Sequence, residues 1–165
     1  MRVRSSSVKP VSTEEVEAEG VDVLFLVWLL ARSTTDLLDG RLEPAGLTSD
    51  EFAVYSILTA TGGITPTELA RWIAAPPTTV SSYVKRLERR GHVTRRDNPD
   101  DRRSYLITLT SAGQRAHTDA RQRFRPVRDH VETALAERQP QTHQTLLDLR
   151  EIIDHLRASD SGPDR

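Results

Sequence analysis

Between residues 76 and 110 the chain carries small hydroxyls and cations whose spacing suits contact with a polyanion. Thr78, Thr79, Ser81, Ser82, Lys85, Arg86 and Arg89 fall on the outward side of a helical repeat, with Val80, Val84 and Leu87 inward. Short hydroxyls near a helix start can bond base edges or phosphates without bulk. Lys85, one turn further on, can bond guanine or a phosphate, and both readings stand. A second group, Arg95, Arg96, Asp101, Arg102 and Arg103, surrounds the turn-rich stretch RRDNPDDRR. A narrow minor groove concentrates negative potential and favours inserted arginine. The chemistry on offer is recognition of a nucleic-acid duplex. The plainer alternatives are a solvated charged face for the helix, general phosphate attraction or solubility for Arg95 and Arg96, and a turn residue for Asp101.

These groups need a frame. Pro76-Pro77 opens a helix expected from about Thr78 to Arg90, and Gly91 ends it. Val93 and Tyr105-Leu-Ile-Thr-Leu109 are rich in strand-forming residues, with residues 95–103 as a loop between them. Asp97-Asn-Pro-Asp100 supplies its turn chemistry. Upstream, Thr48-Ser-Asp-Glu51 and Thr65-Pro-Thr-Glu68 are capping-box sequences, and Gly62-Gly63 stops the helix begun by the first. Leu69, Ala70 and Ile73 form the inner face of the short second helix, flanked by Trp72. Thr110 caps a further helix with a stripe from Ala112 to Val131, in which Pro126 predicts a kink or break. Leu146, Leu149, Ile153 and Leu156 have coiled-coil spacing on a last helix.

The first helix is expected from about Thr13 to Asp39, apolar nearly all round from Val23 to Ala31. Those nine apolar residues are too few to span a bilayer. Such a helix must be covered on several sides, which points to a partner chain. Residues 1–12 and 159–165 read as loose tails.

The 165 residues suffice for one domain with a good core. The net charge of −1 hides an uneven distribution. Residues 11–60 hold ten acids against two arginines, or −8, whereas residues 77–105 hold eight basic groups against four acids, or +4. Local charge governs attraction to phosphates. The absence of cysteine excludes disulfides and thiolate metal sites and fits a reducing compartment. The N-terminal MRVRSSSVKPVS lacks the apolar stretch of a signal peptide, so a cytoplasmic protein is expected. His92, His117, His130, His143 and His155 show no metal-ligand spacing and read as surface residues. Neither a Gly-rich phosphate loop nor a nucleophile elbow is present, so no enzyme activity, metal or cofactor is expected.

The order is helices, a helix–turn–helix, a β-wing, then two more helices, and it resembles the MarR family of winged helix–turn–helix transcription regulators. The resemblance covers roughly residues 20–157. Its most specific part is GHVTRRDNPDDRRSYLITLTSAG, residues 91–113. Asp101-Arg102-Arg103 matches the family's Asp-x-Arg wing tip, and Leu109-Thr110-Ser-Ala-Gly113 its Leu-Thr-x-x-Gly. Thr65-Pro-Thr-Glu-Leu-Ala70 matches its first helix–turn–helix helix.

The resemblance implies a mainly α fold of about six helices with a small β-wing. It implies a DNA-binding lobe over 48–110, within a domain spanning 13–158. It also implies dimerisation through residues 13–47 and 111–158. A homodimer would set two reading helices about 34 Å apart over a pseudo-palindromic double-stranded operator. The resemblance implies that Arg103 enters the minor groove, with Asp101 holding it by a carboxylate–guanidinium pair. It further implies a repressor released by a small aromatic or phenolic ligand. Phe25, Trp28 and Tyr55 are the aromatics for such a pocket, with core packing as the other reading. The rival from another class is a dimeric winged-helix protein-interaction module that does not bind DNA.

Overall fold

The computed structural model describes residues 21–160. The tail expected over 1–12 and the helical stretch expected over 13–20 lie outside them, as do residues 161–165. Six α-helices and one two-stranded sheet are found among the described residues. The mainly helical fold with a wing is the one expected. The chain divides into two compact units, one ending at His117 and one beginning at Thr118.

Helix α1 spans Val23–Leu42. Asp22 has extended backbone and its carboxylate accepts the Phe25 N–H at 2.9 Å. That cap makes the apolar run start its own helix, instead of continuing one from Thr13. The helix also runs past Asp39, because Leu42 is a core residue of this unit, as is Leu47 after it.

Helix α2 (Ser49–Thr61) carries the full capping box. The Thr48 hydroxyl accepts the Glu51 N–H and the Glu51 carboxylate accepts the Thr48 N–H, both at 3.2 Å. Gly62 ends it at φ 70°. Helix α3 (Pro66–Trp72) repeats the box with Thr65 and Glu68, and the bond from the Thr65 hydroxyl holds the Glu68 carboxyl below its usual range. Leu69 is fully buried, whereas Ala70 and Ile73 are half-buried and Trp72 is half exposed.

Helix α4 (Pro77–Arg89) buries Val80, Val84 and Leu87 as its spacing requires. Gly91, at φ 69°, closes it: the His92 N–H bonds the Leu87 carbonyl and the Gly91 N–H the Glu88 carbonyl.

Strands β1 (Val93–Asp97) and β2 (Tyr105–Leu109) pair antiparallel from Val93 opposite Leu109 to Asp97 opposite Tyr105. Arg95, Arg96 and Asp97 are therefore in the strand and not in the loop. Pairing with Ile107, Leu106 and Tyr105 overrides their weak strand preference. Ile64 adds an isolated bridge to β2, exchanging both backbone bonds with Ile107 at 2.8 and 3.2 Å.

Helix α5 (Ser111–Leu135) is capped as expected, the Thr110 hydroxyl accepting the Gly113 N–H at 3.1 Å. The same hydroxyl donates to the Gly91 carbonyl at 2.6 Å, tying helix start to wing base. No break occurs at Pro126, which lies inside a continuous helix. His117 and His92 are not surface residues. His117 is buried, with Nε2 3.1 Å from the Ser56 hydroxyl and Nδ1 2.9 Å from that of Thr59. His92 is half-buried, its Nδ1 2.7 Å from the Tyr55 hydroxyl.

In the second unit, α5 continues and is followed by α6 (Gln139–Asp160). Ser159 and Asp160 are helical, so the terminal tail does not begin at 159. Exposed pairs one turn apart, such as Arg123 with Asp119 and Arg150 with Asp154, line these helices.

Candidate nucleic-acid interface

Helix α4 presents Thr78, Ser81, Ser82, Lys85 and Arg89 to solvent, and Thr79 half-buried. Its start is unusual in donors. Pro76 and Pro77 carry no N–H, and the Thr79 and Val80 N–H groups already bond the Pro76 carbonyl. The reading end therefore offers hydroxyls more than backbone amides. The Ser82 hydroxyl donates back to the Thr78 carbonyl at 3.0 Å, which leaves its oxygen as an acceptor. Lys85 makes no ion pair among the described residues, and the contact of Arg89 Nε with the Lys85 carbonyl is long, at 3.4 Å.

Arg86 is different. Its Nε lies 2.7 Å from Glu51 Oε1, off the line of a well-aligned hydrogen bond, and its guanidinium sits over the Tyr83 ring at 5.0 Å. Arg90, which the sequence did not single out, donates to Glu51 Oε2 at 3.1 Å and to the Gly46 carbonyl at 3.3 Å. Glu51 is 2% exposed, so one buried carboxylate ties the reading helix to the start of α2 through two arginines. Tyr83 adds a second tie, donating to Asp50 at 2.6 Å; that bond pushes its phenol up to about 12. The acidic pair Asp50-Glu51, two residues after Thr48, was the available sequence signal, but only the fold shows which cations it meets.

Arg95 is exposed but also engaged. It makes two bonds to the Glu88 carboxylate, at 2.7 and 3.0 Å, and lies 4.6 Å from the centre of the Tyr105 ring. Arg96, Arg102 and Arg103 are exposed, with no ion pair among the described residues. The expected pair between Asp101 and the Arg103 guanidinium is replaced by a main-chain bond. Asp101 Oδ1 accepts the Arg103 N–H at 2.9 Å, an Asx turn that shapes the tip and leaves the guanidinium unheld. Buried Asn98 completes the tip, donating to Ser104 Oγ at 2.8 Å and accepting the Asp100 N–H at 3.1 Å.

The three aromatic candidates for a ligand site are not brought together. Tyr55 is a core residue whose phenol burial pushes up to about 12. Phe25 and Trp28 stack on each other on the exposed side of α1, centroids 5.8 Å apart. A cavity lies elsewhere. An open cleft of about 520 Å³ is lined by Asp39 and Gly40 of α1, Glu43, Gly46 and Leu47 of the turn, Thr48 and Glu51 at the start of α2, and Arg86 and Arg90. No group of three or more His, Asp or Glu that could hold a metal occurs among the described residues, and no helix among them is long and apolar enough to cross a membrane.

The MarR family profile matches residues 47–105, which runs from just before α2 to the first residue of β2 and includes the wing tip. Over that stretch the chain is similar to the MarR family. Its relatives include the multiple antibiotic resistance protein MarR of Salmonella typhimurium, 28% identical over 102 residues, covering 62% of this chain and 71% of that protein. Among solved structures, a mutant MarR from Escherichia coli complexed with operator DNA superposes with a TM-score of 0.66 at 24% identity, covering 79% of this chain and 94% of that one. CouR of Rhodococcus jostii bound to p-coumaroyl-CoA gives 0.69 at 22% identity, covering 79% and 93%. At these identities the two structures speak to fold. The helix–turn–helix and wing of this chain lie at the matched positions.

Proposed function

We propose that this chain is a sequence-specific, double-stranded DNA-binding transcriptional repressor that acts as a homodimer and is released by a small ligand. One observation carries the DNA reading: an exposed hydroxyl-and-lysine face on α4 stands beside a wing whose Arg102 and Arg103 are unpaired among the described residues. Thr78, Thr79, Ser81, Ser82, Lys85 and Arg89 face the major groove, and Arg96, Arg102 and Arg103 the flanking backbone and minor groove. Arg86 acts from behind, as a support. The E. coli structure with operator DNA and the Rhodococcus structure with p-coumaroyl-CoA support the two halves of the reading.

The test is fluorescence anisotropy with duplexes from upstream of the gene and a scrambled duplex, at several salt concentrations. Preference for one upstream duplex with a steep salt dependence is expected; equal weak binding to all would sink sequence-specific reading. Arg103→Ala should weaken binding to every duplex and lower the salt slope by about one. Ser82→Ala and Lys85→Ala should instead change sequence preference.

The dimer reading rests on apolar surface. Leu24, Trp28 and Leu30 of α1 are more than half exposed, as are Ile152 and Leu156 of α6. A second copy covering them would be worth about 25 cal/mol for each Å² removed from water. Light scattering at micromolar concentration should give twice the 18.5 kDa chain mass; a clean monomer would defeat this part.

For the ligand, the 520 Å³ cleft lies against the two arginines that hold α4. An occupant that changes the hold of Glu51 on them changes the pose of the reading helix, and it shifts DNA affinity by its differential affinity for the two poses. Titrating the complex with aromatic and phenolic acids and following anisotropy tests release.

A further inference from the structure

Resting on the reading of this face as a DNA-binding surface, we propose that Arg95 is a positioning residue. It struts the wing against the recognition helix and supports DNA binding without touching DNA. Its fork spans three elements. The two parallel bonds run from β1 to Glu88 on α4, and the flat face of the guanidinium lies over Tyr105 on β2. Doubly bonded guanidinium–carboxylate pairs fix direction as well as distance, and stacking on an aromatic ring fixes the remaining rotation. The connection between α4 and β1 is only Arg90, Gly91 and His92, with Gly91 in the left-handed region. A ribbon leaving such a joint needs a second point of attachment to hold one angle, and Arg95 supplies it two residues into β1.

The charge balance agrees. Arg95 and Glu88 together carry no net charge, so the pair releases no counterion on meeting a phosphate. Lys85 and Arg89 on the same helix, and Arg102 and Arg103 on the wing, have no carboxylate partner among the described residues. The cations of this face thus divide into those that meet DNA and one that sets the angle between its two parts.

Arg95→Lys, Glu88→Gln and the double variant separate the roles. Lysine keeps the charge but loses the fork and most of the stacking, so it would preserve a phosphate contact and break a strut. Two readouts are used: affinity and salt slope on an upstream duplex, and amide hydrogen exchange of residues 94–97 and 105–108 in the free protein. Melting curves verify that each variant is folded. The strut predicts that both single variants bind the upstream duplex about fivefold to tenfold more weakly, Arg95→Lys with unchanged salt slope and Glu88→Gln with a slope unchanged or steeper because it frees a cation, and that the double variant is no worse than either. It also predicts faster exchange across the wing in all three. The proposal is overturned if Arg95→Lys binds like the parent while Glu88→Gln binds as well or better, or if wing exchange does not change. Should the parent bind no duplex at all, the DNA reading fails, and the exchange result alone decides whether the strut exists.

Discussion

Gly113→Ala is expected to destabilise the protein by about 3 kcal/mol, at the upper end of overpacking costs. The reason is a backbone obstacle. A Cβ at this position would overlap the His92 carbonyl oxygen and lie 2.9 Å from its carbon and 3.0 Å from Leu109 Cδ2. A flexible side chain could move aside, but a carbonyl cannot. That carbonyl also accepts the Thr110 N–H at 3.0 Å, so pushing it away undoes the joint between wing base and α5. Urea unfolding should show a lower midpoint, and operator affinity should fall as the wing base shifts. Unchanged stability would mean that α5 does not approach His92 so closely. The close approach gives a physical reason for glycine at the end of the Leu109-Thr110-x-x-Gly113 sequence.

The second large effect is expected at Glu51. Its carboxylate closes the α2 capping box and receives Arg86 and Arg90. Removing one partner of a buried ion pair costs about 3–5 kcal/mol when the other charge is stranded. Here the arginine side chains are 40% and 39% exposed and can rehydrate. Glu51→Ala should therefore cost about 2–3 kcal/mol, including about 1 kcal/mol for the cap. Glu51→Gln keeps the shape and should cost about half as much. DNA binding separates support from simple stability. With Arg86 freed, non-specific affinity and salt slope should rise while preference for the operator falls. A variant as stable and selective as the parent would remove Glu51 from the tie between α2 and the reading helix.

What the sequence made legible was local. The two capping boxes, the glycine stops at Gly62 and Gly91, the Thr110 cap and the inward triplet Val80, Val84, Leu87 are decided by neighbours a turn away. What it hid depended on distant placement. Eight basic residues between 77 and 105 look alike as a string. Only the fold puts Glu51 beneath Arg86 and Arg90, and only strand register puts Tyr105 under Arg95. Asp101 was read as a partner for a guanidinium, and a carboxylate two residues before an arginine meets its backbone N–H more readily. Asp22 is a residue type that caps helices, and the reading from Thr13 took no account of it. The buried His117 had no sequence mark, since its partners Ser56 and Thr59 lie on another helix.

The bridge between Ile64 and Ile107 has a bearing on the order of folding. Everything proposed to read DNA in this chain, from α3 to the wing, lies within the loop that this bridge closes. The hairpin and the helix–turn–helix are built from near neighbours and form cheaply in entropy, whereas closing this loop costs about 3 kcal/mol in its length-dependent part alone. The closing contact must follow or accompany the structures it encloses. The reading surface is therefore assembled as one cooperative unit, and local opening at Ile64 exposes helix and wing together.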